Sequence, residues 1–395
     1  MSASASPSRK PPPTFDCFNI AELRERARVR LPRGVFEYVD RGTEDELAQR
    51  NNREAFERTK LVPRVLRNVS IIDQGTTLFG RPVAMPIGIG ATGGAALVWH
   101  NGDVALARAS LNAGIPFTIS SASTMDIELI TAVGGRLWFQ LYPWENRPHS
   151  YGLVEKACRL GCEALVVTVD TATHPNREYN AHNGFGIPLR LNARNVMDVL
   201  LHPRWLFGVL LKYVFTTGLP RQANLPPELS AKVTEVPRIG GNFRCDTLDW
   251  EEVRLLRKLW RGKLILKGIV SPVDAATAVC EGVDAIVVSN HGGRNLDSVV
   301  ATLDALPAVL EAVAERIPVL FDSGVRRGSD VVKALAMGAK LVLVGRAPLY
   351  GLAVGGQAGV ARALQLLREE IARVMAFCGC RNLAEITPEL IWKKA

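Results

Sequence analysis

The chain has 395 residues, 47% hydrophobic and 22% charged, which describes a globular protein with enough apolar material for one large domain or two ordinary ones. Its formal charge of +9 suits a nucleic-acid binder, an anionic-membrane binder or an enzyme for acidic substrates. No aromatic-interleaved basic module or helix-turn-helix pattern supports the first, so no nucleic-acid partner is expected. The seven cysteines are scattered, without CxxC pairs or histidines at zinc spacing, so reduced thiols in the cytoplasm are expected rather than a disulfide frame or a metal site.

The opening "MSASASPSRKPPP", residues 1–13, has no apolar h-region and reads as a disordered tail rather than a signal peptide. From residue 14 to about 84 the sequence offers a helical preface, "AELRERARVRLP" and "GVFEYVDRGTEDELAQRNNREAFE", then a strand-like segment, together expected to cap the body of the domain. Eight short apolar runs come next, at 85–91, 115–122, 137–142, 164–170, 264–269, 285–290, 318–324 and 341–346. Between most of them lie amphipathic stretches such as "GDVALARASLNAG", "SYGLVEKACRLG" and "GSDVVKALAMGA", opened by Ser or Asp and closed by Gly. Short runs buried on both faces and alternating with helices indicate parallel βα units, and eight of them predict an α/β fold, a closed (β/α)8 TIM barrel with an N-terminal helical cap. A doubly wound open sheet is the alternative, but no GxGxxG follows the first run.

The rhythm breaks once, at 171–263, which predicts a long insertion after the fourth strand on the C-terminal face of the barrel, within a single domain of residues 14–390. Inside it, residues 196–221 mix "VLL", "WLFGVLL" and "YVF" with His202, Arg204, Lys212 and Arg221. That is the composition of a membrane-interface segment, with Trp205 and Tyr213 at headgroup level. The charges and Pro203 prevent it from spanning, and no apolar run elsewhere reaches spanning length. The alternative is a helix packed on the barrel or between subunits.

In a barrel of this kind function collects where strands end. Those ends carry Gly93, Ser120, Gln140 with Tyr142, Thr168 with Asp170, Lys267, His291 with Arg294, Asp322 with Arg326, and Gly345 with Arg346. "DSGVRRGSD" and "VGRAP" put glycines and arginines after the last two strands, where backbone N–H groups and a helix N-terminus form an anion cradle, so a phosphate is expected there. In "SNHGGRNLD", His291 can accept a proton near neutral pH and Arg294 can hold a carboxylate, which suits an acid substrate deprotonated beside its acid group. Asp170 is placed to stabilise the imidazolium, Arg177 to supply a second fork for the carboxylate, and Lys267 to meet negative charge developing on a bound cofactor. Each has a plain reading as a structural histidine or a surface charge when taken singly; their conjunction favours chemistry.

"SNHGGRNLD", "FDSGVRRGSDVVKALAMGA", "WFQLY", "TVD" and "LKGI" together resemble the FMN-dependent 2-hydroxy acid oxidase and dehydrogenase family, from about residue 15 to 390. The resemblance implies FMN as cofactor and His291 as base with Asp170 as its partner. It implies Arg177 and Arg294 as carboxylate-binding residues, and Tyr38 and Tyr142 as tyrosines that contact the substrate. Lys267 would lie by the flavin N1 and C2 carbonyl. Gln140, Thr168, Ser120, Ser289 and the backbone of Ala91, Thr92 and Gly93 would contact the isoalloxazine, with Asp322, Gly324, Arg326, Gly345 and Arg346 on the ribityl and phosphate. Gly93 stands where the oxidase branch commonly has alanine, which resembles the dehydrogenases that hand electrons to a carrier other than oxygen. Ala122 stands where glycolate oxidases carry a tryptophan, leaving room for an aromatic substituent, and "AHNGFGIP" with the segment after it is similar to the loop region of the mandelate-oxidising members.

The implied activity is oxidation of an (S)-2-hydroxy acid, mandelate-like, to the 2-oxo acid. Electrons would pass to a membrane quinone from a homo-tetramer held peripherally on the cytoplasmic face of the inner membrane. Lactate oxidation and an oxygen-using oxidase are the neighbouring alternatives. A non-catalytic flavin-binding barrel and a nucleotide-acting barrel with a cysteine nucleophile are more distant ones, the last disfavoured because no cysteine stands at a strand end.

Overall fold

The computed structural model describes residues 16–185, 192–221, 223–224 and 246–392. The tail at 1–13 and the parts of the insertion at 186–191 and 225–245 lie outside the described residues.

The eight apolar runs become eight parallel strands: β3 (Ile87–Ile89), β4 (Phe117–Ser120), β5 (Leu137–Leu141), β6 (Ala164–Thr168), β7 (Lys263–Ile269), β8 (Ala285–Val288), β9 (Val319–Phe321) and β10 (Leu341–Val344). They pair in chain order, and β10 returns to β3, so the sheet closes and the open-sheet alternative is excluded. "LWFQL", "ALVVT", "AIVV" and "LVLV" are buried at every position, because one face of each strand fills the barrel and the other lies under a helix. Register then lines up the strand ends. Ser120 lies opposite Gln140, and Thr168 opposite Lys267. The β7–β8 ladder slips between Lys267 and Ile269, at Gly268, whose φ of +113° only glycine tolerates.

The preface divides between the two ends of the barrel. A hairpin of β1 (Thr76–Leu78) and β2 (Arg81–Val83) closes the N-terminal end. There Arg136 donates to the carbonyls of Leu78, Arg81 and Pro82 while paired at 2.6 Å with Glu163. Helices α1 (Ile20–Arg30), α2 (Arg33–Asp40) and α3 (Leu47–Arg58) belong to the other end, where Arg294 and Arg346 donate to the carbonyls of Tyr38, Val39 and Arg41.

Two expectations about the insertion need correcting. It does not run to 263: Asp249 caps a helix, Trp250–Leu259, by accepting from the Glu252 N–H, and that helix packs on Arg147–Arg159 as the barrel's own connection into β7. Trp205 and Tyr213 also do not face outward. Both are buried, the Trp205 indole donating to Leu97 O at 2.7 Å and the Tyr213 hydroxyl accepting from Asn101 N at 3.0 Å. Trp205, Val209 and Tyr213 recur every four residues, so they share the inner face of the helical stretch Pro203–Phe215. Its outer side carries Phe207, Val214 and Phe215, joined by Val196, Met197, Leu200 and Leu201 from Ala193–Leu200 and its end, all exposed. Among the described residues no helix is long and apolar enough to cross a membrane.

Candidate active site

The strand ends enclose a cavity of about 340 Å³ on the C-terminal face. Of the residues singled out from sequence, Tyr38, Ala91, Thr92, Gly93, Ser120, Gln140, Tyr142, Thr168, Arg177, Lys267, His291, Arg294, Asp322, Gly324, Arg326, Gly345 and Arg346 all line it. Asp170 and Ser289 stand one contact behind, against His291 and Lys267 respectively.

His291 is the first of three consecutive left-handed residues, φ +58°, +70° and +71° through Gly293. A histidine held there is strained, and strain of this kind persists where surrounding bonds over-determine the conformation. Here the His291 N–H donates to Ser289 Oγ at 3.1 Å, and its ring is fixed at both nitrogens. Nδ1 lies 2.9 Å from Asp170 Oδ1 and Nε2 lies 3.1 Å from the Tyr142 hydroxyl. The carboxylate requires a proton on Nδ1, which leaves the Nε2 lone pair toward the cavity as the basic position. Burial, together with Lys267 and Arg177, pulls the imidazole pKa down against the upward pull of Asp170, so the ring is neutral at pH 7 and able to accept a proton. Burial would raise the Asp170 pKa, but His291 and Lys267 outweigh it and hold the carboxyl ionised.

Lys267 reaches the cavity from the middle of a buried strand, with Nζ 2.7 Å from Ser289 Oγ and 3.0 Å from Asp322 Oδ2. Burial alone would discharge it; Asp322 and Asp170 keep its pKa raised. Beside it a polar row crosses the strand ends. Ser120 Oγ donates to Gln140 Oε1 at 3.0 Å, and Gln140 Nε2 donates to Thr168 Oγ1 at 2.8 Å.

The arginines differ in what they hold. Arg294 donates to the Tyr38 and Arg41 carbonyls at 2.8 and 2.9 Å, with its guanidinium over the Tyr38 ring. Among the described residues Arg177 has only long contacts, 3.4 and 3.3 Å, to the Arg294 carbonyl. Burial and the adjacent Arg294 cation drive its pKa down, as burial and neighbouring cations also do at Arg346. Arg346 is saturated: it donates to Gly292 O, Val39 O, Arg41 O and Gln49 Oε1. Its side chain therefore ties the cap to the loop after β8, and a helix begins at the same residue, where backbone N–H groups would meet an anion. The other helix N-terminus expected in the cradle is already filled, since Arg326 N and Arg327 N donate to Asp330 Oδ2 and Gly328 N to Glu370 Oε2.

Sequence reasoning missed Thr171, His174, Ser323 and Asn295, which also line the cavity. Thr171 and Asn295 sit next to residues already singled out, and the only signal for them was that adjacency.

A barrel rim with an imidazole hydrogen-bonded to a carboxylate, a guanidinium with only a distant acceptor among the described residues and a helix N-terminus lining the same cavity defines a class: enzymes that deprotonate an acid substrate beside a phosphate-bearing cofactor. Residues 27–393 match the family described as FMN-dependent dehydrogenase, and the chain belongs to that family. It is 40% identical to (S)-mandelate dehydrogenase of Pseudomonas putida over 375 residues, 95% of this chain and 93% of that one. To L-lactate dehydrogenase of Ectopseudomonas mendocina (strain ymp) it is 38% identical over 376 residues, 94% and 98% of the two chains. The crystal structure of the monotopic membrane protein (S)-mandelate dehydrogenase superposes with a TM-score of 0.91 at 39% identity, covering 96% of this chain and all of that one. The protein is an FMN-dependent 2-hydroxy acid dehydrogenase.

The cavity fits that cofactor. Thr92 Oγ1 is buried without a hydrogen-bond partner in the wall where an isoalloxazine edge would lie, and the row of Ser120, Gln140 and Thr168 offers polar atoms to a flat heterocycle. Gly324, Gly345 and the helix beginning at Arg346 leave backbone room for a phosphate.

Proposed function

We propose that the protein oxidises an (S)-2-hydroxy acid of the mandelate type to the 2-oxo acid, working at the cytoplasmic surface of a membrane and passing electrons to a quinone. The observation that carries the acid-substrate part is Arg177, a partly buried guanidinium near His291 whose only acceptor among the described residues is a carbonyl at long range. A substrate carboxylate bridging Arg177 and Arg294 satisfies the first and brings the hydroxyl-bearing carbon toward the base. His291 Nε2 takes the proton, Asp170 stabilises the imidazolium, and Tyr142 and Tyr38 contact the substrate. FMN, when bound, supplies a two-electron acceptor for the oxidation. Lys267 holds positive charge beside it, and Ser289 and Asp322 fix the ammonium in place.

The mandelate preference is supported by the small Ala122 in the cavity wall, near Gly93 and the Tyr38 hydroxyl. The membrane is supported by the exposed apolar side of residues 196–215, a two-sided helical stretch whose inner face is already packed. Lactate as substrate is the second reading, favoured by the 38% identity to L-lactate dehydrogenase. Anaerobic bleaching of the flavin band by (S)-mandelate and L-lactate, each at matched concentration, separates the two. Faster bleaching by mandelate is expected, and faster bleaching by lactate would replace the first reading with the second.

A further inference from the structure

Asp170 is held by more than the histidine it supports. Thr171 Oγ1 lies 3.3 Å from Asp170 Oδ1, the same oxygen that faces His291. Asn295, four residues beyond His291 on the loop after β8, donates from Nδ2 to the Asp170 main-chain carbonyl at 2.8 Å and to Thr171 Oγ1 at 2.9 Å. Both protons of that amide nitrogen are thereby engaged, and the reverse orientation would set Asn295 Oδ1 against a carbonyl oxygen, so the amide orientation is fixed by its neighbours. Because the Asn295 N–H fills a lone pair on Thr171, the threonine hydroxyl hydrogen is directed to the carboxylate. On the remaining side there is no slack: a Cβ on Gly268 would lie 2.6 Å from Asp170 Cβ and 2.7 Å from Cγ. Asp170 Oδ2 is buried with no hydrogen-bond partner among the described residues, so no hydrogen bond there holds the carboxylate by its second oxygen.

We infer that Thr171 and Asn295 are positioning residues that lock the Asp170 carboxylate with Oδ1 toward His291 Nδ1, tying the loop after β6 to the loop after β8. The inference rests on the reading of His291 as the base. At 3.3 Å the threonine contact is long for an O–H···O bond, so its contribution is orientation more than charge. Without it the carboxylate is free to turn Oδ1 away, and His291 loses both the fixed Nδ1–H tautomer and the upward pull of Asp170 on its pKa.

The test compares His291→Ala, Thr171→Val, Thr171→Ser, Asn295→Ala and Thr171→Val with Asn295→Ala, all as FMN-loaded full-length protein, by anaerobic flavin reduction with (S)-mandelate. The binding of the unreactive 2-oxo acid is followed separately through perturbation of the oxidised flavin band. Thr171→Val is expected to lower the limiting reduction rate by about 10-fold, within the range by which general-base efficiency responds to its supports, while the 2-oxo acid binds within about twofold of wild type. Thr171→Ser should restore the rate, the double variant should be no slower than the worse single one, and the acid limb of the rate profile should move to lower pH in Thr171→Val. A merely structural role would weaken 2-oxo acid binding and rate together and leave the limb in place. A wild-type rate in Thr171→Val with His291→Ala inactive overturns the latch alone. Normal reduction by His291→Ala overturns the base assignment, and the latch with it.

Discussion

Arg177 and Arg346 line one cavity, and both were expected from sequence to bind anions, yet they differ in the acceptors they already hold. Arg346 has four acceptors within 3.2 Å, three of them backbone carbonyls that join the cap to the loop after β8. Among the described residues Arg177 has a single carbonyl at the edge of hydrogen-bonding range. Arginine cannot shed its proton to escape such a site, so an unsatisfied one waits for an anion, whereas a satisfied one is part of the frame. Residue type and a place beyond the C-terminal end of a barrel strand are shared by both. The acceptors already in place separate them.

Substitution sharpens this division. Arg177→Met should raise the substrate dissociation constant by about 100-fold, the ~3 kcal/mol of a charge-assisted pair, with flavin content unchanged. The substrate dependence of anaerobic bleaching measures it. Arg346→Met should instead leave the carbonyls of Gly292 and Val39 without this donor, lower stability by ~2–3 kcal/mol and loosen flavin retention. A thermal melt read alongside the flavin absorbance checks this. Should Arg346→Met keep its melting point and lose substrate affinity, the roles given to the two arginines would be reversed.

A smaller effect concerns pH. Burial lowers the His291 pKa below its ordinary 6.5, so the base form already predominates at neutral pH. The limiting reduction rate should therefore be flat from pH 7 upward until another group titrates, and should fall only as pH drops through the depressed value. A rate still climbing between pH 7 and 8 would mean that Asp170 dominates the ring, contrary to the buried geometry.

The barrel was legible because its strands are short, apolar and buried on both faces, a pattern that survives without knowledge of partners. His291, Asp170 and Lys267 were legible because a charge or imidazole at the end of such a run has little structural excuse. Legibility failed where the answer depends on what a side chain meets across the fold. "VGR" reads the same whether its arginine grips phosphate or three carbonyls. Trp205 and Tyr213 have the composition of interface anchors, and only their four-residue spacing with Val209 reveals that they form the packed face. The insertion ends before the next strand for a local reason: "DTLDWEEVRLLRKLW" carries its own helix start at Asp249, which the spacing of apolar runs alone does not reveal. Thr171 and Asn295 are 124 residues apart and meet only when the barrel closes.

Asp103 extends the contrast to a charge of the other sign. It is 2% exposed in the first turn of the helix Gly102–Ala113, and its Oδ2 has no hydrogen-bond partner. Unlike Arg177 it can relieve burial by taking a proton, and burial raises its pKa to about 7, against the modest opposing pull of a Ser123 hydrogen bond. The sign follows from linkage. The folded-state pKa lies above the unfolded value near 3.8, so the stability tied to the neutral acid is complete below about pH 4 and is lost progressively as pH rises to about 7. Asp103→Asn removes that loss but keeps a polar group in an apolar wall. It should be nearly neutral at pH 5 and stabilising by on the order of 1 kcal/mol at pH 8, measured as a difference between denaturation midpoints at the two values. Equal effects at both pH values would mean that Asp103 stays ionised when folded, and would require a cation near it that the packing around Tyr213 and Ser123 does not supply.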